Sequence, residues 1–124
     1  MASASLRVLV VEDDPDLAAL EAELLEEHGH RVEVASNGRE ALAAVERAAP
    51  DLILLDMKMP VMSGREFADE YRRAHPSPAP IVVVTAAEDA QTRAAEVGAS
   101  AWIAKPFDPD ALVENVMRLF PPQP

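Results

Sequence analysis

Five side chains able to do chemistry, Glu12, Asp13, Asp56, Thr85 and Lys105, stand where short apolar runs of this sequence stop. Clustered carboxylates repel one another and call for a hard divalent cation such as Mg2+, bound through one or two carboxylates, waters and phosphate oxygens. A carboxylate can also attack phosphorus and form an aspartyl phosphate. The phosphoryl group in transfer carries its charge on peripheral oxygens, so the protein's part is mostly positioning and electrostatic stabilisation. Lys105 is a point charge suited to one such oxygen, and the Thr85 hydroxyl can donate to another. Asp56 directly follows Leu52-Ile53-Leu54-Leu55, a run of the kind buried on both faces of a sheet, and is the candidate nucleophile.

What must position these groups is a set of parallel strands. Arg7 to Val11, Arg31 to Ala35, Leu52 to Leu55, Ile81 to Val84 and Ala101 to Ala104 read as five strands, each short and rich in apolar or β-branched residues. Helical stretches alternate with them. Asp14 caps the first, with Pro15 as its opening residue, Leu17, Leu20, Leu24 and Leu25 along one face, and Gly29 as its stop. Ser36 or Asn37 caps the second, striped by Ala41, Leu42, Val45 and Ala49 and ended by Pro50. Arg65 to His75 forms the third, before the proline-rich loop Pro76 to Pro80. Glu88 to Val97 is a weak fourth, closed by Gly98, and Asp108 caps a fifth that carries Leu112, Val113, Val116 and Leu119. Five strands alternating with five helices predict an α/β doubly wound parallel sheet with right-handed crossovers. In such a sheet all C-terminal strand ends share one edge, where ligands bind. That edge would gather the five groups.

Bulk composition narrows the function classes. With 124 residues the chain predicts one domain spanning its length, with a core over about residues 6–120 and no output domain. A net charge of -11 argues against nucleic acid or an anionic membrane as a direct partner. No cysteine is present, which rules out disulfides, thiolate metal sites and a cysteine nucleophile. No apolar run is long enough to span a membrane, and no signal peptide opens the chain, so cytoplasmic residence is expected.

Four segments, V-V-E-D-D-P at 10–15, D-L-I-L-L-D-M-K-M-P at 51–60, V-V-V-T-A at 82–86 and K-P-F at 105–107, occur in order and at compatible spacing. Together they make the chain resemble a response-regulator receiver domain of the chemotaxis (CheY-like) type over essentially its full length. The resemblance implies the flavodoxin-like strand order 2-1-3-4-5. It implies that Asp56 accepts a phosphoryl group from a phosphohistidine on a sensor histidine kinase or phosphotransfer protein. Glu12, Asp13, Asp56 and the backbone carbonyl of Lys58 would hold Mg2+. Thr85, the backbone N–H of Ala86 and Lys105 would engage the phosphoryl oxygens, and Trp102 stands at the aromatic switch position. The Lys105–Pro106 bond would be cis. A monomer or weak homodimer is expected, acting through the surface of the fourth helix, fifth strand and fifth helix. It would not be an enzyme beyond assisting its own phosphorylation and dephosphorylation.

Departures and rivals bear on that reading. The loop usually written Gly-Met-Asp-Gly is here Val61-Met62-Ser63-Gly64, and Trp102 is bulkier than the usual Tyr or Phe. The fourth helix offers only Ala90, Ala94 and Val97 to a core. A flavodoxin-like FMN binder would need a Ser-, Thr- or Gly-rich loop where Glu12-Asp13-Asp14 stands. An aspartyl-phosphate phosphatase would want a carboxylate where Lys58 stands. The remaining alternative is a receiver-fold adaptor that binds partners without being phosphorylated. Met57, Met59 and Met62 read as packing residues, and His28 and His30 as a solvated turn away from the acids.

Overall fold

The computed structural model describes residues 5–57, 61–86 and 88–119. Five strands and five helices alternate: β1 (Arg7–Val11), α1 (Pro15–Glu27), β2 (Arg31–Ala35), α2 (Gly38–Arg47), β3 (Leu52–Asp56), α3 (Gly64–Ala74), β4 (Ile81–Ala86), α4 (Ala90–Val97), β5 (Ala101–Lys105) and α5 (Pro109–Leu119). The strands form one parallel sheet in the order β2-β1-β3-β4-β5. Every residue of β3 is buried, as its unbroken apolar run requires of a central strand covered on both faces. Alternate residues of β1 and β3 feed two apolar layers. Leu9, Val11, Ile53 and Leu55 pack with α2, α3 and α4, while Val8, Val10, Leu52 and Leu54 pack with α1 and α5.

Local chemistry sets most helix starts. Asp14 accepts from the amides of Asp16 and Leu17, Asn37 rather than Ser36 caps α2, and Ser63 and Glu66 close a capping box on α3. Phe67 and Tyr71 stack with ring centroids 5.7 Å apart, and the Tyr71 hydroxyl accepts from the Ala79 amide, tying the proline-rich loop to α3.

Several expectations are corrected in detail. α2 ends at Arg47, short of Pro50. α4 begins at Ala90, where Asp89 makes no side-chain cap bond. Strands β4 and β5 run one or two residues further than their apolar runs, because Thr85 pairs with Ala104 and Ala86 with Lys105. The face α1 turns inward is Ala18, Glu21 and Leu25, while Leu20 is left 40% exposed. Small Ala18 lets the helix lie close to the sheet, and the leucines flank that contact. Lys58, Met59, Pro60, Pro121 and Pro122 lie outside the described residues.

The loop into α3 is tightly fitted. A Cβ at Gly64 would stand 2.7 Å from the Asp56 carbonyl oxygen, and one at Gly38 would stand 2.7 Å from Met62 Cγ. Val61, exposed and β-branched, is held at φ 70°. That left-handed conformation costs a β-branched residue roughly 1–2 kcal/mol and costs glycine almost nothing. Val61→Gly is therefore expected to raise stability by about 1 kcal/mol, the gain being reduced by glycine's larger unfolded-state entropy. A urea midpoint that does not rise, at unchanged slope, would contradict this.

α4 is anchored unevenly. Its buried residues are only Ala90, Ala94 and Val97. Its last turn is held by Arg72 of α3, whose guanidinium donates to the carbonyls of Val97 and Gly98, and Gly98 closes the helix at φ 63°. So little apolar area gives a small local opening free energy. Amide exchange should be faster in α4 than in α1, and fastest in its first turn. Equal protection of the two helices would refute this.

Candidate functional site

The site is built on the C-terminal edge of the sheet. Glu12 extends β1, its amide donating to the Ala35 carbonyl, which fixes the residue against β2. Its carboxylate is buried, and Oε2 accepts from the Asp14 amide at 3.2 Å. Asp13 follows at the surface. Asp56 ends β3, where its neighbour Leu55 pairs with Val11 and Asp56 itself pairs with Val84. One carboxylate oxygen from each of Glu12, Asp13 and Asp56 can be chosen so that all lie within 4.8 Å of one another.

Lys105, at the end of β5, reaches back across β4 and β3. Its Nζ lies 3.2 Å from Glu12 Oε1 and 3.6 Å from Asp56 Oδ1. The contact to Glu12 is an ion pair without hydrogen-bond geometry, and Glu12 Oε1 keeps no hydrogen-bond partner. The Lys105–Pro106 peptide is cis. Lys105 also lines a groove of about 330 Å³ with Asp14, Leu17, Leu20, Pro106 and Phe107.

These contacts set the electrostatics. Burial, and then the charge of Asp56, push the Glu12 carboxyl up to about 7, against the opposing pull of the Asp14 amide and Lys105. Burial works against the Lys105 ammonium, but Asp56 and Glu12 together outweigh it and hold the amine above its ordinary range. Three carboxylates against one ammonium leave an excess of negative charge in a largely buried space. An acid near neutrality, with one buried oxygen unbonded, marks a place where a hard cation would be stabilising, and three oxygen donors fit Mg2+.

Thr85 is buried within β4, one position beyond the partner of Asp56, and Ala86 stands beside Lys105 in register. Trp102 pairs with Val83 and is 47% exposed, so its indole lies toward solvent. The carbonyl of Lys58 lies outside the described residues. His30 Nδ1 accepts from the Leu6 amide, and His28 Nδ1 contacts the Leu24 carbonyl, so both are engaged away from the acids. The group not anticipated is Glu21. It is almost wholly buried on α1, and its carboxyl is pushed up to about 8 by burial first and by Glu12 next. The only signal for it was its spacing with Ala18 and Leu25, three and four residues away on one helical face.

A five-stranded parallel sheet in this order, with acids and one lysine at its C-terminal edge, defines a doubly wound fold of the CheY-like class. Residues 8–117 match the response regulator receiver domain model. The chain belongs to that family, which serves two-component signalling. It is 41% identical over 101 residues to a response regulator receiver protein of Anaeromyxobacter sp. (strain Fw109-5), covering 81% of this chain and 42% of that one. A 14.6 kDa protein of Leptolyngbya boryana is 36% identical over 125 residues, covering 96% of this chain and 95% of that one. The chemotaxis response regulator CheY4 of Vibrio cholerae superposes with a TM-score of 0.84 at 35% identity, covering 94% of this chain and 99% of that one. The chain thus spans less than half the length of the Anaeromyxobacter relative. Among the described residues, no helix is long and apolar enough to cross a membrane.

Proposed function

We propose that this domain is a phosphorylation switch whose acceptor is Asp56. The observation that carries the reading is the meeting of Glu12, Asp13 and Asp56 within 4.8 Å, with Lys105 Nζ 3.6 Å from Asp56. Glu12, Asp13 and Asp56, together with the backbone carbonyl of Lys58, are the groups that would hold Mg2+. Bound there, the ion supplies positive charge for the carboxylates and for the oxygens of an incoming phosphoryl group.

An Asp56 carboxylate oxygen attacks phosphorus of a phosphohistidine presented by a histidine kinase or phosphotransfer protein. The new O–P bond forms as the P–N bond breaks, its electron pair staying on the imidazole nitrogen, which then takes a proton. Lys105 turns from the Asp56 carboxylate to a phosphoryl oxygen. The Thr85 hydroxyl and the Ala86 amide donate to the others. Trp102, two residues before Ala104, the partner of Thr85 on β5, moves inward as Thr85 is drawn to the phosphate. The α4–β5–α5 surface then changes its affinity for protein partners. This is a population shift, so it works only as far as the phosphoryl group binds one state better than the other.

The test is incubation with acetyl phosphate and Mg2+, read by intact mass and by Trp102 fluorescence. The protein should gain one phosphoryl group only with the metal present, and Asp56→Asn should gain none. An unchanged yield in Asp56→Asn, or no uptake by the wild type, defeats the proposal. The second result would leave a domain that binds partners unphosphorylated.

A further inference from the structure

Glu21 has no part in the scheme above, yet its placement requires a reason. It lies in the apolar layer between α1, α5 and the sheet, on the helix face that also carries Ala18 and Leu25, with 1% of its surface exposed. Its Oε2 atom is buried and has no hydrogen-bond partner. A carboxyl so placed costs folding free energy that an apolar side chain would not.

Its neighbours are the groups of the site. A helical side chain leans toward the helix N-terminus, and α1 starts at the C-terminal edge of the sheet, so Glu21 leans toward that edge. Glu12, Asp56 and Lys105 continue the same sheet face. Val10 precedes Glu12, Leu54 precedes Asp56 and Ile103 precedes Lys105 at alternate positions, and all three pack in the α1/α5 layer. Glu21 is electrostatically coupled to Glu12, Lys105 and Asp56, and it helps keep Lys105 charged.

We propose that Glu21 is a positioning residue for Lys105, receiving its ammonium when a divalent cation takes over the carboxylates of Glu12 and Asp56. The inference rests on the metal reading above. In the cation-free protein the ammonium is placed by those two acids. A cation there repels the ammonium and occupies the oxygens it faced. Asp14, the other acid in the groove beside Lys105, is committed to capping α1. Glu21 Oε2 is a buried carboxyl oxygen on the same face with no such commitment, and an ammonium brought against it would favour its ionised form. Lodged against it, Lys105 stays ordered at the edge of the sheet until phosphoryl oxygens draw it back.

Lys58 and Lys105 are the only lysines in the chain. Lysine side-chain 15N labelling therefore gives two Nζ signals, and Lys58→Arg assigns them. The titrant is MgCl2, followed at Lys105 Nζ and at the Asp13 backbone amide in wild type, Glu21→Gln and Glu21→Leu. In the wild type, Mg2+ should shift Lys105 Nζ and slow the exchange of its protons with water. In both variants the Asp13 amide should still saturate, while the slow exchange at Lys105 is lost. An identical Lys105 response in wild type and Glu21→Leu overturns the role of Glu21 and leaves the metal site standing. An Asp13 amide that Mg2+ never moves in the wild type overturns the metal reading and this inference with it. Glu21→Leu removes an unbonded carboxyl from an apolar layer, so it should remain folded.

Discussion

Lys105→Met is expected to slow phosphoryl uptake from acetyl phosphate by about two orders of magnitude, the usual loss when one positioned electrostatic stabiliser is removed. It should also destabilise the cation-free protein. Glu12 and Asp56 are both buried, and Lys105 is the cation placed 3.2 Å and 3.6 Å from them. Breaking a buried pair by deleting one partner costs on the order of 3 kcal/mol, because the other charge is left uncompensated. Glu12 offers a partial escape. Its carboxyl already titrates near 7, so in the variant it takes up a proton readily at mildly acid pH. The loss should accordingly be small at pH 6 and full at pH 8, and Mg2+ should reverse much of it at pH 8. Urea unfolding at the two pH values, with and without Mg2+, measures all of this. A variant whose loss is equal at both pH values would show that Lys105 and Glu12 are not coupled as the 3.2 Å contact requires.

The second large effect is a stability that rises as the solution is made more acid. Burial lifts Glu21 from 4.5 to about 8 and Glu12 from 4.5 to about 7. Between those limits the folded chain holds protons that the unfolded chain releases. Raising the pH through that window therefore favours unfolding, by up to about 1.4 kcal/mol per pH unit for each group. Glu21 alone should account for a loss on the order of 3 kcal/mol between pH 5 and pH 8. His30 works in the opposite direction below 6.5, since burial and then His28 hold its ring below its ordinary range. The capping acids Glu40 and Glu66, whose carboxyls are lowered by Ser36 and Ser63, withdraw support only below 4.5. Maximum stability is thus expected between pH 5 and 6 in metal-free buffer. Glu21→Leu should flatten the slope and raise stability at pH 8 by about 2–3 kcal/mol. A wild-type midpoint that climbs from pH 5.5 to pH 8 would refute the account.

The residues differ in how far they could be read before the fold was seen. Asp56 and Lys105 were legible because strand polarity is a strong constraint. Apolar runs that end in charged residues, joined by helices, must bring those ends to one edge. Asn37 and Ser63 were less so, since a cap is chosen among adjacent polar residues by backbone angles that composition does not specify. α4 begins at Ala90 rather than Glu88, after a turn in which the Asp89 amide donates to the Ala86 carbonyl, a local bond that the polar lead does not reveal. Glu21 was hidden for a different reason. Hydropathy assigns a glutamate to solvent, and the leucines at 17, 20 and 24 form a convincing stripe of their own one step around the helix. Only the close seating of Ala18 decides which stripe faces the sheet. Val61 was visible as an unusual residue in its loop, but its positive φ is a backbone angle that a β-branched residue gives no sign of adopting.

The two guanidinium bonds from Arg72 have a mechanical corollary. A rod pinned by two bonds at its far end swings more readily than it slides. Its largest displacement therefore falls at Ala90, a few residues along the chain from Thr85 and Ala86. Severing the fastening with Arg72→Ala would turn a lever into a float, and motion begun at the sheet edge would no longer be directed.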